Sequence, residues 1–123
     1  MTALEQRPDA AGGGERRPVS ERALEEATSL LGLLGDRTRA LILLHLEQHG
    51  SCAVSEIHDA IGSSLANVSR HLSLLYQARL VERAKDGMHV RYTLRDWSAL
   101  RLLDGSIACV IARAEEEREA LDR

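Results

Sequence analysis

Residues 64–75, near the middle of the chain, combine side chains that suit contact with nucleic acid. Ser64 is a good helix N-cap, because its hydroxyl can accept hydrogen bonds from the free backbone N–H groups of the first turn. Val68, Leu72 and Leu75 are spaced i, i+4 and i+7, which predicts one apolar helix face. The opposite face is small or polar, with one cation and no acid: Ala66, Asn67, Ser69, Arg70 and Ser73. Such a helix can lie in a DNA major groove without steric or charge conflict.

A second group of reactive side chains contains imidazoles and a thiol. His45 and His49 are four residues apart on one predicted helix face, and Cys52 lies just beyond the helix end. This spacing permits a nitrogen-rich site for a divalent transition metal, nickel or zinc. The alternative, which we favour, is that His49 interacts with the negative end of the helix dipole and His45 packs against its neighbours.

The two cysteines allow a different chemistry. Cys52 and Cys109 could form a thiol-based redox switch if the fold brings them together. Neither lies in an evident basic setting that would favour the thiolate, so we favour their interpretation as buried apolar residues. The chain has no Gly-rich phosphate loop, no nucleophile elbow and no evident carboxylate pair, so we expect it not to be an enzyme.

Several helices must position these residues. Residues 1–19 contain both prolines and a Gly-Gly-Gly run, which predicts a flexible tail, and residues 20–123 are expected to form one domain. Ser20 caps a first helix that runs to Gly35, and a second helix covers residues 37–49 with Ala40, Leu41, Leu43, Leu44 and Leu46 buried. A short helix over residues 55–61, a turn containing Gly62 and the helix after Ser64 give a helix-turn-helix pattern. An ordinary corner between two helices has the same local pattern.

Residues 80–94 predict a β-hairpin. Asp86-Gly87 is a strong two-residue turn signal between two strand-like runs. Val90, Tyr92 and Leu94 alternate with His89, Arg91 and Thr93, so one face should be buried and the other solvated.

The last helix begins near Trp97 and carries a heptad-like stripe: Leu100, Leu103, Ile107, Val110, Ala114 and Leu121. A small core cannot cover a stripe of this length, so a second copy of the chain is the simplest partner. We therefore predict a homodimer that uses the first and last helices. The proposed dimerisation residues are Leu24, Leu31, Trp97, Leu100, Leu103, Ile107 and Val110.

Composition and charge limit the class of protein. Hydrophobic residues make up 44% of the 123 positions, enough for a packed core, and no apolar run is long enough for a membrane span. We also find no signal-peptide pattern, so a cytoplasmic protein is expected. The formal charge of −3 is unevenly distributed, since residues 65–95 have six cations against two acids and residues 96–123 have seven acids against four arginines. The first of these segments suits an approach to phosphate.

At this point the chain resembles the ArsR/SmtB family of small bacterial repressors over roughly residues 24–114. The resemblance depends on LLGDRTRALILLHL, VSEIHDAIGSSLANVSRHLSLL and ARLVERAKDGMHVRYTL. It implies a mainly α winged helix-turn-helix with a small β-hairpin wing, and a homodimer that reads an imperfect palindrome in double-stranded DNA. It also implies repression that a metal or redox signal relieves.

The resemblance assigns roles to individual residues. The DNA-binding residues it implies are Ser64, Leu65, Ala66, Asn67, Ser69 and Arg70 on the helix, with Lys85, His89 and Arg91 on the wing. The family's terminal-helix metal positions correspond to Asp96, Ser98, Cys109 and Ala112, of which Asp96 keeps its identity and Cys109 could still bind a soft metal. The family's cysteine pair corresponds to Ala53 and Ser55, so the familiar metal sites are incomplete here.

A function of another class is also open. The acidic end of the last helix, EEEREALDR, could bind a partner protein, which would make the chain a winged-helix interaction module or give it a protein co-regulator. A solvated helix end explains the same charges.

Overall fold

A computed structural model describes residues 17–122 of the chain, so most of the proposed tail, residues 1–16, lies outside the described residues. The described elements are, in chain order, α1 (Glu21–Leu34), α2 (Arg37–His49), β1 (Cys52–Ala53), α3 (Val54–Ile61), α4 (Leu65–Gln77), β2 (Val81–Asp86), β3 (His89–Leu94) and α5 (Trp97–Leu121). The mainly α winged helix-turn-helix expected from the sequence is confirmed. Within residues 17–122, no helix has the length and apolar character that a bilayer crossing requires.

Side-chain caps define where the helices begin. Ser20 Oγ accepts from the backbone N–H of Ala23 at 3.0 Å, and Ser64 Oγ accepts from Asn67 N at 3.1 Å. Asp36 caps α2 in the same way. These bonds satisfy N–H groups that have no partner inside a helix. The helix-turn-helix bends at Gly62, which ends α3 in the left-handed conformation (φ +80°) that glycine adopts without steric cost.

The three strands form one antiparallel sheet in the order β1-β3-β2. Asp86 pairs with His89, so the two-residue loop is Gly87-Met88, one residue later than the Asp86-Gly87 turn that the sequence predicts. Gly87 has φ +64°, and the loop is placed so that glycine occupies this left-handed position. The predicted alternation along β3 is correct at its centre, where Tyr92 is buried.

The core lies where α2, α3 and α4 meet the sheet. Its fully buried side chains are aliphatic, with a single thiol: Ile42, Leu43, Leu46, Ile57, Leu72, Leu75, Leu100, Val68, Val81 and Cys52. Ile42 was not among the buried positions predicted for α2, whereas Leu41 and Leu44 are half-buried. Leu100 was predicted to be a dimerisation residue, and this is wrong, because it is 2% exposed inside the core of its own chain. Leu103 is half-buried and packs against the same core.

Apolar side chains remain exposed on the two helices at the ends of the fold. Leu31 on α1 is 55% exposed, as is Trp97 on α5, and Val110 is 62% exposed. Leu24, Ile107 and Ile111 are also about half exposed. We call these six residues the α1/α5 apolar face. It matches the predicted dimerisation residues except at Leu100 and Leu103, and it includes Ile111, which was not predicted.

Candidate nucleic-acid interface

Helix α4 presents two faces of different chemistry. Val68, Leu72 and Leu75 are fully buried and fix the helix on the core. The side chains of the opposite face are exposed: Leu65, Ala66, Ser69 and Arg70. The predicted polar face is therefore available to a ligand, and its position follows directly from the apolar spacing of the buried face.

A chain of hydrogen bonds orders the centre of this face. Arg70 Nη2 donates to Asn67 Oδ1 at 2.7 Å, and Asn67 Nδ2 donates to Ser63 Oγ in the preceding turn. Asn67 is half-buried, so its amide is a fixed support for the exposed guanidinium. The bond uses one arm of Arg70 and leaves the rest of its planar donor set for a second partner. Sequence reasoning named both residues but did not predict the bond, although the i, i+3 spacing permits it.

The adjacent residue, His71, faces inward and is 6% exposed. Its Nδ1 lies 3.1 Å from Arg39 Nη1, and the same guanidinium donates to the carbonyl of Leu33 at 2.7 Å. Burial lowers the pKa of His71, the cations of Arg39 and Arg70 act in the same direction, and the carboxylate of Asp36 opposes them. A neutral imidazole with an unprotonated Nδ1 can accept a hydrogen bond there from Arg39. Arg39 thus joins the end of α1 to α4 through one side chain.

The wing presents its predicted DNA-binding residues on different faces. Lys85 pairs across the strands with Val90, and His89 pairs with Asp86, so Lys85 and His89 lie on opposite faces of the hairpin. Both side chains are exposed near the tip. The loop residue Met88 is fully exposed between them.

Arg91 is engaged within the chain. Its Nε donates to Ser51 Oγ at 2.9 Å, its Nη2 donates to the Ser51 carbonyl at 2.7 Å, and its Nη1 lies 3.1 Å from Glu56 Oε1. Glu56 also accepts from the backbone N–H of Ala53 at the start of α3. The structure therefore uses Arg91 to tie the wing to the first helix of the helix-turn-helix, and it does not present the guanidinium at the wing tip as a phosphate contact requires.

The histidine and cysteine candidates do not form a metal centre within one chain. The rings of His45 and His49 lie 4.3 Å apart between centroids, tilted by 35°. Burial lowers the pKa of His45, and the neighbouring His49 adds to this effect. Cys52 is buried in the core, and burial raises the pKa of its thiol. In the part of the chain that the structure describes, no three His, Cys, Asp or Glu side chains are grouped so that they could hold a metal ion.

The terminal-helix candidates are also separated. Asp96 is the N-cap of α5 and accepts from Ser98 N at 3.0 Å; hydrogen bonds from the Ser98 hydroxyl and backbone hold the pKa of this carboxyl below its usual range. Cys109 is thirteen positions further on and exposed, about 20 Å along the helix axis. Asp96 and Cys109 of one chain therefore cannot bind one ion together. Both cysteines are free thiols, and the buried, protonated Cys52 is poorly suited to a redox switch.

Comparison with known proteins places this fold in a family. Residues 34–84 match the family model described as a helix-turn-helix domain. The chain is 37% identical over 89 residues to the HTH-type transcriptional regulator CmtR of Mycobacterium tuberculosis, an alignment that covers 72% of this chain and 75% of CmtR. The chain belongs to the ArsR/SmtB family of transcriptional regulators.

Solved structures of similar proteins agree with this assignment. The AntR antimony-specific transcriptional repressor superimposes with a TM-score of 0.73 at 26% identity, covering 89% of this chain and 96% of AntR. The homodimeric winged helix-turn-helix domain of Mb0332 from Mycobacterium bovis, described as a possible ArsR-family regulator, gives a TM-score of 0.61 at 28% identity, with 80% and 91% coverage. CmtR and AntR are transcriptional regulators, in agreement with the expectation that this chain is not an enzyme.

Proposed function

We propose that this regulator is a repressor that binds a palindromic operator as a symmetric homodimer, with one α4 in the major groove of each half-site. The observation that carries the proposal is the exposed polar face of α4, on which Asn67 holds the Arg70 guanidinium at 2.7 Å. An arginine held in this way can donate to both O6 and N7 of guanine, the commonest specific contact in the major groove. The bond to Asn67 reduces the side-chain entropy that Arg70 loses on binding.

The remaining contacts divide by chemistry. Ser64, Leu65, Ala66 and Ser69 are exposed at the start of α4, where they can contact a phosphate or a thymine methyl group. Lys85 and His89 are the exposed polar residues of the wing tip, and we assign them to the phosphate backbone. Arg91 acts as a positioning residue, because its bonds to Ser51 and Glu56 fix the wing relative to α3.

Dimerisation is supported by the α1/α5 apolar face and by the homodimeric state of the similar Mb0332 domain. One recognition helix with one arginine makes too few base contacts for useful specificity in a genome. Two such helices, one helical turn of DNA apart or about 34 Å, double the number of contacts. An isologous contact between the same faces of two copies gives the required two-fold symmetry.

The donors for a nickel or zinc effector do not fit a site within the described residues of one chain. His45 and His49 contact each other, Cys52 lies in the core, and Asp96 caps a helix about 20 Å from Cys109. We therefore propose that nickel and zinc do not release this protein from its operator.

Selection of binding sites from a random DNA library by the purified protein tests the proposal. We expect enrichment of an inverted repeat whose half-sites each contain a guanine, with their centres about one helical turn apart. Recovery of no common sequence, or of a single unrepeated site, would contradict symmetric binding. R70A provides the matched control, since it should recover the symmetry but lose the preference for guanine.

A further inference from the structure

The described residues contain a second group of cations, at the junction between the end of α4 and the base of the wing. An open groove of about 420 Å³ lies there, lined by Arg79, Arg83 and Arg95. Glu82 is the one carboxylate among its lining residues. Three guanidinium groups against one carboxylate give the groove a formal charge of +2, whereas the whole chain has −3.

Two of these guanidinium groups are available to a ligand in the groove. Arg83 lies over the ring of Tyr76, 4.0 Å from its centroid, and its side chain also interacts with that of Tyr92. Stacking of this kind fixes the guanidinium, and its five N–H donors are enough to serve both Tyr92 and a ligand. Arg95 Nε is 3.8 Å from Glu82 Oε1, beyond hydrogen-bond distance, and both side chains are about half exposed. An exposed pair at this distance is weak, so Arg95 can exchange Glu82 for a better acceptor.

The third cation, Arg79, occupies an unusual backbone position. It has φ +64°, and it is the one non-glycine residue with positive φ among residues 17–122. It follows the C-cap Ala78 of α4, the position where helices commonly place glycine because a side chain is strained there. Interaction with the helix dipole does not account for this choice. A cation in the last turn of α4 would interact with the dipole equally well and would have an ordinary negative φ, yet that turn contains no basic residue. The chain thus places a guanidinium at the groove despite the conformational cost.

We propose that this groove binds a phosphate group, either on the DNA backbone beside the operator or on a free phosphate-bearing small molecule. Planar guanidinium donors match phosphate oxygens in pairs, and such charge-assisted bonds are the strongest that exposed side chains make. The Gln77 amide also lines the groove and can add a neutral donor. The groove continues the exposed side of α4 at its C-terminal end, where Tyr76 and Gln77 line it. The DNA-backbone source rests on the operator-binding proposal, and the free-phosphate source does not.

Arg79→Gly is the decisive variant. Glycine adopts φ +64° without strain, so R79G should fold at least as stably as the wild type, with an equal or higher melting temperature. R79N removes the same charge with a residue that also tolerates this conformation. R118A removes an exposed arginine 21 positions after the start of α5, about 30 Å along that helix, and controls for the loss of one positive charge.

Two measurements distinguish the sources of the phosphate. In the first, inorganic phosphate is titrated into the protein alone at constant ionic strength, and backbone amide signals of residues 76–83 and 95 are followed by NMR. These signals should shift, with about three- to tenfold weaker binding in R79G and unchanged binding in R118A. In the second, the salt dependence of duplex DNA binding is measured, and R79G should lower the slope by about 0.9 per protomer.

Each outcome decides the matter. Phosphate binding with an unchanged salt slope supports a free phosphate ligand, whereas a reduced slope in R79G, with or without phosphate binding, supports the DNA backbone. If the R79G and R118A variants behave alike in both measurements, the groove does not bind phosphate and the inference is wrong.

Discussion

Placing a charge in the α1/α5 apolar face tests the dimer most directly, and Ile107→Glu is the cleanest substitution. Ile107 is 42% exposed in the single chain, so it can accept a carboxylate without disturbing the core. Leu100 and Leu103 cannot be used in this way, because the first is buried in the core and the second packs against it. A charge at either would unfold the chain as well as separate the subunits.

The expected magnitude follows from what a second copy would cover. Full burial of an isoleucine contributes about 1.5–3 kcal/mol, so covering the remaining 42% contributes about 1 kcal/mol. A carboxylate at this position loses that contribution and must also be partly desolvated, which costs at least about 1 kcal/mol more. Two-fold symmetry applies both effects twice, giving about 4 kcal/mol or a thousandfold weaker dimer.

Light scattering after size-exclusion chromatography measures the effect. We expect a dimer for the wild type at micromolar concentration, and an I107E monomer with little operator affinity. Ala112→Glu is the matched control, because Ala112 is exposed and lies about 140° around the helix from Ile107. A monomeric wild type, a dimeric I107E, or an A112E variant as monomeric as I107E would each refute this assignment of the interface.

Further results are expected. R70A should reduce operator affinity by about 1–3 kcal/mol per half-site and leave affinity for random DNA nearly unchanged, whereas K85A should weaken both alike and lower the salt slope by about one; competition binding with both DNAs separates these patterns. R91A should destabilise the wing and lower operator affinity without changing the salt slope, and a slope reduced as in K85A would show instead a direct phosphate contact. Burial lowers the pKa of His71 from its ordinary 6.5, so as the pH falls the unfolded chain takes up the proton first. The free energy of unfolding should therefore be full above about pH 6.5 and fall below it. Denaturant titrations should show a smaller loss of stability at low pH in H71Q, and an identical loss would exclude His71 as a source of the pH dependence. Stoichiometric nickel or zinc should change operator affinity by less than about threefold in a mobility-shift assay, and a tenfold loss would reveal a metal site between subunits.

Local signals in the sequence predicted most of the fold. The caps at Ser20 and Ser64 depend on contacts within three residues, which the sequence displays directly. Periodicity also located the apolar stripe on the last helix. It could not distinguish the residues that pack inside their own chain from those that remain exposed for a second copy. Leu100 and Ile107 have the same spacing signal, yet one packs into its own chain and the other remains exposed.

Long-range contacts were beyond the reach of sequence patterns. Arg91 appears as an outward strand residue in the sequence, and its partners Ser51 and Glu56 lie 40 and 35 positions away. The bond between Arg39 and His71 spans 32 positions and was equally invisible in the sequence. The hairpin loop lies one residue later than the sequence predicts. Its register is set by the cross-strand pair of Asp86 with His89, which leaves Gly87 in the left-handed position.

The length of α5 has a consequence for how the protein assembles. Every residue from Asp104 to Asp122 is exposed in the single chain, so this part of the helix has little tertiary packing to support it. An isolated helix of this length is marginal in water, since most helical stability in proteins comes from packing. The end of α5 should therefore become helical together with subunit association, and the affinity of the dimer should already include the cost of ordering it. Dilution below the dimer dissociation constant should consequently lower the helical circular-dichroism signal per residue, making assembly a folding reaction as well as a docking reaction.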